Sequence, residues 1–202
     1  ASTKELMVNR DWVSKIAEVI NIPFCVAGGI KTLDHAREIL NLGADKISIN
    51  TPALDNPKLI KELSDEFGSQ CVVIGMDVKI IDNEAYLFAK TGNEKTAYST
   101  DILASNWLVK VQELGAGEVV INAMGQDGVQ QGYDIDLLQT LEKFCSIPMI
   151  ASGGAGGPQD FIDVFKKTNV DGALAASIFH RNKFSIGGIK EVLKTNKINI
   201  RI

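Results

Sequence analysis

Short apolar runs alternate along this chain with stretches whose apolar residues recur at helical spacing, and the alternation continues almost from end to end. Residues 11–20 place Trp12, Val13, Ile16, Val19 and Ile20 on a helical repeat; Phe24–Ala27 then reads as a strand ending in Gly28-Gly29. Leu33–Leu42 is a helix with Leu33, Ala36, Ile39 and Leu40 inward, and Lys46–Asn50 is the next strand. Asn56–Phe67 reads as a helix with Asn56 as cap and Pro57 in its first turn. Val72–Val78 is a buried strand. Tyr86–Lys90 with Thr91-Gly92 looks like an extended insertion, and a helix follows from Asp101 to Leu114. Beyond it come a strand Glu118–Asn122, a helix Asp136–Phe144, a strand Met149–Ser152, a helix Pro158–Lys167, a strand Gly172–Ala176 and a last helix Gly188–Lys194.

The predicted strands are apolar runs with little polar alternation, which implies a parallel sheet covered by helices on both faces. Two architectures compete. An open doubly wound sheet that binds nucleotides would carry Gly-x-Gly-x-x-Gly after its first strand, and that fingerprint is absent. A (β/α)₈ barrel gathers its functional residues at the carboxyl ends of many strands, where this chain has Gly28, Asn50, Asp77, Asp127, Gly153 and Ser177. The TIM barrel is the expected fold, in a single domain over residues 1–202. About six of the eight strands can be read, and Ala1 opens on a polar segment and a helix, so the first βαβ segment is the expected missing part. The barrel reading is strengthened by a repeat: Ile22-Pro-Phe-Cys-Val-Ala-Gly-Gly-Ile30 returns as Ile147-Pro-Met-Ile-Ala-Ser-Gly-Gly-Ala155. A duplicated strand, Gly-Gly turn and helix implies two similar binding loops and a ligand with two similar ends.

Composition narrows the function. At 202 residues and 45% hydrophobic, the chain can bury one sizeable core. A net charge of −4 with no Lys/Arg cluster argues against nucleic acid or an anionic membrane as partner, while small anions remain suited to local loops. No apolar run approaches the roughly 20 residues of a membrane span, and a cytoplasmic location is expected. Cys25, Cys71 and Cys145 lack metal-ligand spacing and read as inert, reduced thiols; neither a metal nor a cofactor is expected.

The stretches IPFCVAGGI (22–30), GADKISINTPAL (43–54), FGSQCVVIGMDVK (67–79), ELGAGEVVINAMGQDGVQQGYD (113–134), IPMIASGGAGG (147–157) and DGALAASIFH (171–180) resemble HisF, the cyclase-subunit family of imidazole glycerol phosphate synthase in histidine biosynthesis. The resemblance covers essentially the whole chain, in family order and spacing. It implies a bisphosphorylated ribulosyl aminoimidazole carboxamide nucleotide as substrate, ammonia as nucleophile, and imidazole glycerol phosphate and aminoimidazole carboxamide ribotide as products.

It also implies roles for particular residues. One phosphate would sit at Gly28-Gly29 with Asn50-Thr51, the other at Ser152-Gly153-Gly154 with Ala176-Ser177, each helped by the N-terminus of a following helix. A lone Gly-Gly would merely turn strand into helix; the second copy favours binding. Asp77 would be one of two catalytic carboxylates, placed at the barrel mouth against a largely apolar wall. Asp127, with Gly128, would contact substrate from the loop after strand six, and Asn122 and Thr91 would add polar groups. The second catalytic carboxylate of the family ends its first strand, so residues 1–202 alone are expected to be inactive. Lys46 and Glu118, at the amino ends of their strands, would belong to a charged ring gating an ammonia channel from a docked glutaminase subunit; the plainer alternative is a surface ion pair. His35 reads as a solvated helix residue and His180 lies just past a strand, so no Cys-His amide-hydrolysing site is present and a glutaminase partner is expected.

The chain departs from the family on its loops. Asn122-Ala-Met-Gly-Gln-Asp-Gly-Val129 stands where Thr-Ser-Met-Asp-Arg-Asp-Gly-Thr is usual, Ala27 replaces a glycine, and Thr91–Ser105 looks long. Retained ammonia delivery with a changed acceptor would fit a HisF-like paralogue that amidinates a surface-polysaccharide sugar. A non-catalytic scaffold that binds and activates a glutaminase is a third possibility, distinguished by having no saturable affinity for a bisphosphorylated ligand.

Overall fold

The computed structural model describes residues 8–93 and 95–201. The polar start expected at residues 1–7, and Glu94 within the segment Thr91–Ser105, lie outside them. Six strands form one parallel ladder, in the order β1 (Cys25–Ala27), β2 (Lys46–Ile49), β3 (Val72–Ile81), β6 (Glu118–Ala123), β7 (Met149–Ser152) and β8 (Gly172–Leu174). β4 (Glu84–Ala89) and β5 (Tyr98–Leu103) form an antiparallel extension on β3. Helices alternate with the parallel strands, and the sheet curls into a half-barrel, an incomplete (β/α)₈ architecture.

The stagger of a tilted barrel is visible in the register. The hydrogen-bonded row Ala27, Ser48, Val73, Glu118 runs from the last residue of β1 to the first residue of β6. On the outer face Ile47, Ile74, Met76, Val119 and Ile121 are buried against Ile39 of α2 (Leu33–Asn41), Ile60 and Leu63 of α4 (Lys58–Phe67) and Leu108 of α5 (Ala104–Glu113). The inner face behaves differently from the expectation of strands buried on both sides: burial alternates along β2 and β6. Lys46, Ser48, Glu118, Val120 and Asn122 are half-buried, because β1 and β8 end the ladder without pairing to each other among the described residues.

The internal repeat has a structural counterpart at the amino ends of the strands. The Phe24 amide donates to the Asp45 carboxylate at 2.8 Å, and the Met149 amide donates to the Asp171 carboxylate at 2.9 Å. Each aspartate amide returns a bond to the same residue's carbonyl. These two brackets fix where each half starts its strand.

Several boundaries move. The first helix, α1, is Arg10–Ala17, capped by Asn9, whose side chain accepts the Trp12 amide; it ends before Val19, which is 80% exposed, and of its residues only Val13 is buried. Asn56 does not start the next helix but ends a short helix α3, Thr51–Asp55, and α4 follows Pro57 with no side-chain cap. The helix expected from Asp101 begins at Ala104, because residues 98–103 pair with β4. There Asp101 adopts φ 56°, and the Thr100 hydroxyl donates to the Leu87 carbonyl. β8 stops at Leu174, and the last part of the chain contains α8 (Ser177–His180) and α9 (Ile186–Thr195). Helix α6 (Ile135–Leu141) tightens into a 3₁₀ turn over Glu142–Phe144, and α7 is Pro158–Lys167.

Candidate active site

At the carboxyl end of β3, Asp77 is buried and surrounded by donors rather than by an apolar wall. Asn50 Nδ2 donates to Asp77 Oδ2 at 2.6 Å and the Thr91 hydroxyl donates to the same oxygen at 2.5 Å. Asn122 Nδ2 donates to Oδ1 at 2.7 Å, and its own amide oxygen accepts a longer bond from Ser152 at 3.4 Å. Of the apolar run before Asp77 only Val72, Ile74 and Met76 face the helices, and Asp77 shares its inner row with Asn122 and Ser152 at the ends of β6 and β7. Three donors hold the carboxylate in one orientation, and Oδ1, with a single protein donor, keeps acceptor capacity for a proton on a bound molecule.

Two loops flank this network. Gly28 and Gly29 adopt φ 104° and 76°, and Gly153 and Gly154 adopt φ 93° and 103°, left-handed conformations that favour glycine. A Cβ on Gly153 would meet the Ala123 carbonyl oxygen at 2.9 Å. Beside the first pair, Thr51 Oγ1 accepts the Lys90 amide at 3.0 Å; beside the second, Ser177 Oγ accepts Gln130 Nε2 at 3.2 Å. Both hydroxyls therefore receive one N–H from a neighbouring loop and have their own proton free to donate to an anion.

The expected contribution of the helices after each Gly-Gly loop is reassigned. In α2 the Thr32 hydroxyl accepts the His35 amide, and in α7 the Asp160 carboxylate accepts the Gly156 and Gly157 amides at 2.7 and 2.9 Å. Those termini are already capped. The short α3 and α8, which begin at Thr51 and Ser177, have no side-chain cap. In α3, Pro52 has no N–H and the Ala53 amide bonds the Asn50 carbonyl, which leaves the Thr51 amide toward a ligand; in α8 the Phe179 amide bonds the Ala176 carbonyl, which leaves those of Ser177 and Ile178.

The remaining sequence candidates are dispersed. Asp127 is exposed on the turn after β6, its amide bonded to the Ala123 carbonyl, and joins none of the described side-chain bonds around Asp77; Gly128, at φ 77°, faces open space. Ala176 is exposed at the start of α8. His35 is half-buried and accepts the Lys31 amide on Nδ1 at 3.4 Å, so it is less free than expected, while His180 is exposed. Lys46 and Glu118 form an ion pair at 2.5 Å on the inner face, bridging over β3. Glu118 lies four residues before Asn122, about 13 Å below the Asp77 network at the rise of a strand. Cys25 is the register partner of Lys46 and is open to solvent on the inner face; the protein atoms packed around its thiol, then Glu118, push it upward against the pull of Lys46, so it stays protonated at neutral pH. Gln130 and Lys183 were not foreseen. Neither lies in the altered stretch Asn122–Val129, and no motif in the sequence pairs them.

A family model described as histidine biosynthesis protein matches residues 1–185. The chain belongs to the histidine biosynthesis protein family. Within it, the chain is 53% identical to the imidazole glycerol phosphate synthase subunit HisF of Psychromonas ingrahamii, 50% to that of Pseudoalteromonas translucida and 52% to that of Aliivibrio salmonicida. Each match covers all of this chain and 79% of the relative. These HisF proteins are named as subunits of a synthase, and the half-barrel fold follows the family expectation. Among the described residues no helix is long and apolar enough to cross a membrane.

Proposed function

We propose that this chain acts as the cyclase subunit of imidazole glycerol phosphate synthase in histidine biosynthesis. The reading rests on one observation: a single oriented carboxylate, Asp77, stands between two glycine loops, each paired with a hydroxyl whose proton is free to donate. Such a site suits a molecule with a phosphate at each end and a reacting centre between them. The cradles hold the phosphates by backbone N–H and hydroxyl donors. Asp77 exchanges a proton with the nitrogen-bearing centre as ammonia adds and the imidazole ring closes, releasing aminoimidazole carboxamide ribotide. Positioning by the two anchored ends supplies much of the rate, since the reacting atoms are then held at one distance from the carboxylate.

Ammonia reaches this site from the opposite end of the strands, where the Lys46–Glu118 pair acts as the gate. The supplier is a glutaminase subunit docked on that end. Titrating a bisphosphorylated aminoimidazole nucleotide into the protein is expected to give saturable binding that inorganic phosphate competes away. Absence of saturable binding would overturn this reading and leave the glutaminase-binding scaffold or a subunit with a different acceptor. Acid and base are both needed for ring closure, and Asp77 is the one carboxylate in the described network. A polypeptide of residues 1–202 alone is therefore expected to show no cyclase turnover, and full turnover from it would refute the assignment of roles.

One observation favours a second reading, a HisF-like subunit that channels ammonia for amidination of a surface-polysaccharide sugar. Asn122, which stands where the histidine enzyme usually has threonine, bonds Asp77 directly, so the departure of this loop reaches the reacting carboxylate. The same titration separates the two, because a sugar acceptor without two phosphates would not need both cradles.

A further inference from the structure

The second cradle carries a cation, Lys183, that has no counterpart at the first cradle among the described side-chain bonds. Lys183, on the exposed turn between α8 and α9, donates from Nζ to Gln130 Oε1 at 2.7 Å. Gln130 donates in turn from Nε2 to Ser177 Oγ at 3.2 Å. No carboxylate pairs with Lys183 among the described residues.

Gln130 is fixed in place by its backbone. It adopts φ 59°, and its carbonyl oxygen lies so near Gly156 that a Cβ there would meet it at 2.4 Å. Two residues on, the Gly132 amide donates to the Gly154 carbonyl at 2.9 Å. The loop bearing Gln130 is thus seated on the second glycine loop, and the side-chain amide can choose only which end faces which neighbour.

Lysine makes that choice. An ammonium donates and never accepts, so the amide oxygen must face Lys183 and the NH₂ must face Ser177. Ser177 Oγ is then obliged to accept, which leaves its proton for an incoming anion. Without Lys183 the amide is free to turn over; Ser177 would donate to Oε1 and be lost to the ligand. The ammonium also stands within about 8 Å of the Ser177 hydroxyl, close enough for its charge to act on an anion there before salt screens it.

We infer that Lys183 is a positioning and specificity residue of the second anion cradle, polarising the Gln130–Ser177 pair toward donation and biasing that cradle to a phosphomonoester dianion. The inference rests on the two-cradle reading proposed above and adds an asymmetry to it: at Thr51 the donor is a backbone amide, Lys90 N–H, whose direction no side chain sets.

The test is calorimetric titration of inorganic phosphate into the parent protein, Lys183→Met, Lys183→Arg and Gln130→Glu, at two salt concentrations. The parent is expected to bind phosphate at two sites. Lys183→Met should weaken one of them roughly tenfold and flatten its salt dependence, leaving the other unchanged. Lys183→Arg should restore most of the loss, since it also only donates. Gln130→Glu should weaken the same site at least as much although Lys183 is still present, because a carboxylate makes Ser177 donate to it. Lys183 is exposed and its one described side-chain bond is to Gln130, so circular dichroism and Tm should match the parent. If Lys183→Met binds phosphate at both sites as the parent does, the role of Lys183 is overturned while the cradles stand. If the parent binds no phosphate, the cradle reading itself fails.

Discussion

Replacing Asp77 with asparagine is expected to lower ammonia-dependent turnover about 10²- to 10⁴-fold in any preparation of the protein that turns over, with little change in substrate affinity. The substitution removes the proton-exchanging group but keeps its shape. Asparagine still accepts on one side, and its NH₂ faces neighbours that can adapt: the Asn50 amide can turn over, and the Thr91 hydroxyl can accept instead of donating. The stability loss should therefore stay near that of one weakened hydrogen bond, about 1–2 kcal/mol. Steady-state kinetics with saturating ammonia would check this, and turnover within threefold of the parent would take Asp77 out of the chemistry.

The largest effect on stability should come from Gly154→Ala. Gly154 is buried at φ 103°, and an added Cβ would lie 2.0 Å from the Gly132 carbonyl oxygen and 3.0 Å from the Gln126 Cβ. Backbone strain and a contact that rigid main chain cannot relieve together should destabilise the fold by about 3 kcal/mol or more. For a domain of this size that is a fall in Tm of roughly 6–12 °C. Gly125→Ala is the matched control: its Cβ would meet nothing within 4 Å, so it should shift stability by less than about 0.5 kcal/mol. Equal melting curves for the two variants would mean that the second glycine loop is not held against the loop at residues 130–132.

The parallel strands were legible because Val72–Met76, Glu118–Asn122 and Met149–Ser152 are short apolar runs bounded by turns, and periodicity reports what packs on the outer face. It does not report what strand-end residues face across the sheet. For that reason Asp77 was expected beside apolar groups, whereas Asn50, Asn122 and Thr91 from three other segments converge on it. The helix expected from Asp101 takes in the last three residues of β5, since Tyr98–Leu103 has no clean alternation and its left-handed Asp101 leaves no trace in composition. Asp77, both glycine pairs, Thr51 and Ser177 were identified from strand-end position and family resemblance. The orientation of Ser177 was not, because it depends on Gln130, 47 residues away, and on Lys183, which reaches Ser177 only through Gln130.

The brackets Asp45–Phe24 and Asp171–Met149 lie wholly within their own repeats. Each repeat thus carries its own alignment instructions at one pole of the cylinder, while ligand chemistry is confined to the other. Substitutions confined to the loops above one half, such as Asn122 to Val129, therefore leave untouched the contacts by which either half threads into the sheet.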